Sequence, residues 1–139
     1  MKIIAVDYGD SHTGLASCDV MEMLASPLCI IDEKDFEVCA DKVAEKIKEN
    51  RAELVVVGNP INMNGTYGPR SEKCCQFADL LRERLTVEVN MWDERSTTVT
   101  AHNMMNEVNK RGKKRKAVID AVAAAVILEN YLAYRANHR

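Results

Sequence analysis

The sequence contains no C-x-x-C spacing, no internal repeat and no window close to the ~18 apolar residues that span a bilayer. Its chain breakers are scarce, at 6 Gly and 3 Pro in 139 residues, which excludes a collagen-like chain. Five cysteines are an odd number, set mostly in apolar periodic stretches. They fit small core residues of a reducing compartment better than a zinc site or a disulfide framework. The opening MKIIAVDYGD meets an acid at position 7, too early for the apolar stretch of a signal peptide, so a cytoplasmic protein without membrane contact is expected. No sustained heptad advertises a dimer, and monomer and homodimer both stay open. With 47% apolar and 29% charged residues the chain can bury a core of its own, and residues 1–139 are expected to form a single domain.

Net charge is also small, at −2, and that figure speaks against a polyanionic partner. Its distribution says otherwise. Residues 1–50 carry 5 basic and 11 acidic side chains, residues 51–100 carry 6 and 7, and residues 101–139 carry 8 and 3. Six of those last eight cations are Lys110, Arg111, Lys113, Lys114, Arg115 and Lys116, a basic segment broken only by Gly112. It leads directly into the last helical pattern, as a loop able to hold a nucleic-acid backbone with sequence-independent, salt-dependent affinity.

Apolar patterning predicts three short antiparallel strands over Lys2–Tyr8, Thr13–Val20 and Pro27–Ile31, then an amphipathic helix over Asp35–Arg51. Leu54, Val55, Val56 and Val57 form a continuous apolar run, the mark of a strand covered on both faces in a parallel sheet. A loop over Asn59–Pro69 precedes a helix from about Arg70 to Leu85. A strand over Thr86–Trp92 follows, then a helix opened by Ser96 or Thr97, and a final helix from Ala117 to about Ala136. Hairpins followed by alternating units make an α/β fold with a mixed sheet and helices on both faces. Ligands in such sheets gather at the carboxyl ends of the parallel strands.

Acids stand at those ends. Asp7 closes the run Ile3–Val6, Asp93 and Glu94 close the strand that contains Trp92, and Asp120 interrupts the otherwise apolar Ala117–Leu128. Taken singly, Asp7 is equally a turn former around Gly9, and Asp93 a helix cap. Taken together, converging carboxylates would repel one another unless a divalent cation lay between them, and hard Mg²⁺ (or Mn²⁺) suits such ligands. VDYGDSHTGLA also matches the phosphate-binding hairpin of actin-like ATPases, but a single domain supplies only half of that cleft, so ATP hydrolysis is disfavoured.

DYG at Asp7–Gly9, GNPINMNGTYGPRSEK at Gly58–Lys73, DERSTT at Asp93–Thr98 and IDAVAAAVILENYL at Ile119–Leu132 together resemble, in order and spacing, the YqgF family of bacteria. Its members are described as pre-16S rRNA nucleases and as Holliday junction resolvases. The resemblance implies a ribonuclease H-like fold and metal-dependent phosphodiester cleavage, with Asp7, Asp93, Glu94 and Asp120 as the catalytic acids. Among them Asp7, Glu94 and Asp120 are the implied metal ligands. A through-running strand would put Asp93 on the face of Val89 and Met91 and send Glu94 the other way. Arg70, Arg95, Ser96 and Thr97 are expected to contact the nucleic acid, and Asn62 and Asn64 to shape its groove. Precursor rRNA in ribosomal precursor particles is the implied substrate. Branched DNA, or RNA binding without turnover, are the competing functions. Two positions depart from the family pattern. Asn59 stands where Leu is usual, a change expected to alter packing, and His12-Thr13 replaces a basic residue after DYG, a change expected to weaken a phosphate contact.

Overall fold

A computed structural model describes residues 1–61, 64–94 and 115–138, without the side chains of residues 115–120. Its elements are β1 Ile3–Asp7, β2 His12–Cys18, β3 Ala25–Asp32, α1 Phe36–Glu49, β4 Leu54–Asn59, α2 Pro69–Arg84, β5 Glu88–Asp93 and α3 Arg115–Asn137. The five strands form one sheet in the order β3-β2-β1-β4-β5. Strands β1, β2 and β3 pair antiparallel, whereas β4 runs parallel to both β1 and β5. The expected mixed sheet is therefore present. Its third strand is longer than the apolar run suggested, because β3 is an edge strand that tolerates polar ends and Pro27. The helix expected to open at Ser96 or Thr97 lies outside the described residues.

Strand alternation divides the core in two. Ile4, Val6, Leu15, Val55 and Val57 pack on α1 and α2, around the fully buried Phe77. Ile3, Ala5, Ala16, Leu54 and Val56 pack on Ala124, Ala125, Ile127 and Leu128 of α3. Being covered on both faces, β4 buries all six of its residues, which is why it reads as an unbroken apolar run. Helix α1 starts where Asp35 accepts the Val38 N–H at 2.9 Å, and α2 starts at Pro69, whose fixed φ suits a first helical position.

One expectation about the basic segment is corrected. Arg115 and Lys116 belong to the first turn of α3 rather than to the preceding loop. Both are good helix formers and no breaker stands between them and Ala117, so the helix extends back through them. None of the described helices is long and apolar enough to cross a membrane.

Candidate active site

The site begins at the β1–β2 hairpin. An added Cβ at Gly9 would lie 2.2 Å from the His12 carbonyl oxygen, so only glycine lets this backbone pass. The hydroxyl of buried Thr13 clamps the turn, donating to the Gly9 carbonyl and accepting its N–H, both at 3.3 Å. Tyr8 is packed between Phe77 and Phe36, with ring centroids 4.6 and 5.6 Å away. Turn, clamp and ring cluster hold the end of β1, and with it Asp7, in one position.

Asp7 follows Ile3 and Ala5 on the face covered by α3. Glu94 reaches that face from the end of β5. A Cβ added at Gly58 would meet its carboxyl at 3.2 Å and Ile127 Cδ1 of α3 at 2.6 Å. The absent side chain of Gly58 is what leaves room for the carboxyl between β1 and β5, the outer strands of the parallel trio. Asp93 pairs with Asn59 in the ladder and stays in the phase of Val89 and Met91, which pack toward α2. The expected opposition of Asp93 and Glu94 is observed, with Glu94 as the member on Asp7's face.

Electrostatics tie these groups together. Burial pushes the Glu94 carboxyl above its ordinary range, opposed by the nearby Arg70 guanidinium and reinforced by Asp93. On α2, burial drives the Cys74 thiol up to about 12; Arg70 opposes that shift, while Glu94 and Asp7 add to it. One thiol thus feels both acids, whose donors are carboxylate oxygens. Such donors suit a hard divalent cation, and a buried carboxylate held above its ordinary range is the kind of group a cation would compensate. Among the described residues no cluster of three His, Cys, Asp or Glu side chains forms. Position 120 is in α3, two helical turns before Ile127, but its side chain is outside the described residues. So are Asn62, Arg95, Ser96, Thr97, Lys110, Arg111, Lys113 and Lys114, and the side chains of Arg115 and Lys116.

Arg70, expected to contact the nucleic acid, stands at this edge. Its Nη2 donates to the Tyr8 carbonyl at 2.6 Å and its guanidinium lies over the Tyr8 ring at 5.8 Å. Sequence reading missed Gly58, Lys73 and Asp10. A glycine ending an apolar strand was the available sign for the first; no comparable sign marked the others. Of the two departures, Asn59 is buried and accepts the Ser71 hydroxyl, fastening the end of β4 to α2. His12 pairs with Asp32 across the β2–β3 ladder, and Thr13 is the turn clamp.

A family model described as "RuvX: Holliday junction resolvase" matches residues 1–134. A protein of Acetivibrio thermocellus named "Putative pre-16S rRNA nuclease" is 42% identical over 134 residues, 95% of each chain. A protein of the same name from Bacillus cereus is 42% identical over 134 residues, covering 95% of this chain and 98% of its own. Among solved structures, Thermus thermophilus RuvC in complex with a Holliday junction substrate aligns with a TM-score of 0.64 at 16% identity, over 98% of this chain and 96% of that one. At that identity the likeness is one of fold, and the fold is ribonuclease H-like.

Proposed function

Because this chain belongs to the RuvX family, the one that the sequence resemblance names YqgF, we propose that it is a divalent-metal-dependent endonuclease acting on precursor 16S rRNA in 5′-end processing. The observation that carries this reading is the placement of Asp7 and Glu94 on one face at the carboxyl edge of the sheet, on either side of side-chain-free Gly58. Asp7, Glu94 and Asp120 would hold the ion. Bound Mg²⁺ or Mn²⁺ supplies Lewis-acid chemistry, lowering the pKa of a water and offsetting charge on the leaving oxygen.

The chain's own residues do the rest. Arg70, anchored on Tyr8, presents its free N–H groups to a phosphate without having to order a long side chain first. Asp93, expected from the resemblance to be a catalytic acid, acts here through Glu94, adding to the rise that burial imposes on that carboxyl. Arg95, Ser96 and Thr97 continue the chain directly from Glu94 and contact the strand near the cut. The basic segment from Lys110 to Lys116 adds sequence-independent, salt-dependent affinity for the backbone. No side-chain nucleophile takes part.

A second reading, resolution of Holliday junctions, has the family model's own description in its favour. It requires paired cuts, hence two copies of the site. A panel of precursor 16S rRNA, unrelated single-stranded RNA and a four-way DNA junction, each with Mg²⁺ or EDTA, decides between them. Mg²⁺-dependent cutting of the precursor is expected. Symmetric paired cutting of the junction alone selects the resolvase, and binding without any cutting selects an assembly factor.

A further inference from the structure

Three charged side chains meet at the carboxyl edge. Asp10, in the β1–β2 turn, places a single carboxylate oxygen 3.5 Å from both Arg70 Nη1 and Lys73 Nζ. Several bridges of this protein are shorter, with Arg84 to Asp41 and Arg135 to Glu22 both at 2.6 Å and Lys42 to Glu33 at 2.7 Å, while the exposed Lys46 to Glu49 pair is comparably loose at 3.4 Å. Charge-assisted bonds normally close to about 2.7–2.9 Å, so Asp10 is in loose contact with two cations rather than bound to either. It is also 69% exposed, and therefore easily displaced.

Both cations are fixed independently of Asp10. Arg70 is held by the Tyr8 carbonyl and ring, and Lys73 lies over the Phe36 ring at 5.5 Å. They are three residues apart on α2, so they face the same way, and each remains nearly half exposed. The aromatic cluster at the end of β1 thus also positions two cations on the α2 side of the carboxyl edge. Their combined charge is +2 against one from Asp10. A phosphodiester group, not tethered to the β1–β2 turn as Asp10 is, can turn one non-bridging oxygen to each cation, where the Asp10 oxygen reaches neither closely.

We propose that Arg70 and Lys73 form a phosphate subsite for the nucleic-acid backbone at the carboxyl edge of the sheet, on its α2 side, and that Asp10 occupies it until a substrate phosphate displaces it. The subsite rests on the nuclease reading, and its test separates the two. Binding of a short fluorescein-labelled single-stranded RNA is measured in EDTA across a potassium chloride series, for the full chain and for Lys73→Gln, Asp10→Asn and Lys46→Gln, each first checked by thermal melt. Lys73 and Asp10 are exposed, so both variants are expected to fold. Lys73→Gln weakens binding and flattens the log–log salt slope by about 0.7, one single-strand phosphate contact. Asp10→Asn tightens binding about threefold at low salt, the scale of one exposed charge pair. Lys46→Gln, which loses an equal charge on α1, leaves the slope unchanged. If Lys73→Gln matches Lys46→Gln, or Asp10→Asn fails to tighten binding, the subsite is wrong while the nuclease reading stands. If the unaltered chain binds neither this RNA nor precursor rRNA, both are wrong.

Discussion

The two edges of the sheet treat charge in opposite ways. At the edge where β1 begins, Glu22 is nearly buried and takes Arg135 Nε at 2.6 Å and the chain's amino terminus at 3.4 Å. That contact fastens the last turn of α3 to the β2–β3 hairpin, where Glu22 adopts a left-handed φ of 58°. At the edge where β1 ends, the Glu94 carboxyl is held up by burial and by Asp93, and Asp10 only loosely engages Arg70 and Lys73. A charge that secures the fold is closely paired within the chain. The Asp10 contact is long and exposed, which leaves it open to exchange with a ligand.

The contrast is most strongly tested by exchanging the two edges' expected phenotypes. Asp7→Asn should reduce cleavage of precursor rRNA by roughly a thousandfold or more, the scale of losing a principal charge-stabilising group, with little change in thermal melting. Glu22→Gln should do the reverse, losing about 1–2 kcal/mol of stability while single-turnover cleavage below its melting temperature is unaffected. If Glu22→Gln proves as damaging to cleavage as Asp7→Asn, the division between the edges fails.

An intermediate effect is expected at Gly58, where packing and chemistry meet. Gly58→Val drives branched carbon into Ile127 and the Glu94 carboxyl, and should cost about 1–3 kcal/mol in denaturant unfolding together with most of the activity. Gly58→Ala is the sharper probe. The Ile127 methyl can swing away, so stability falls little, but the carboxyl 3.2 Å from the new Cβ is crowded and cleavage still drops.

The smallest expected effect depends on pH. Burial raises the Glu94 pKa in the folded chain, so the folded state holds that proton more tightly than the unfolded state does, and ionised Glu94 weighs against folding. In EDTA, Glu94→Gln should therefore melt at a higher temperature than the unaltered protein at neutral pH. The gain should fade as pH falls through the raised pKa and vanish below the ordinary carboxylate value, where the group is protonated in both states. A gain that grows in acid would contradict the assignment.

Much of this edge was legible in the sequence because its signals are local. An acid closing an apolar strand is conspicuous, and the burial of β4 on both faces is written in four consecutive apolar residues. The opposed directions of Asp93 and Glu94 followed from strand phase, but which of them shares the face of Asp7 is visible only through Gly58 on the neighbouring strand. Asp10 and Lys73 were illegible for a different reason. They lie 63 positions apart, and no periodicity in either segment reports how close the hairpin comes to the first turn of α2. Helix α3 began earlier than its apolar stretch indicated, since Arg115 and Lys116 are compatible with a helix without contributing to the pattern.

The central claim is that the carboxylates at the end of the parallel strands hold a divalent cation. A crystal grown with Mn²⁺ and measured for anomalous scattering tests it most directly. A peak is expected between Asp7, Glu94 and Asp120, and it should disappear in Asp7→Asn protein. Full occupancy elsewhere, with nothing between those three acids, would contradict it.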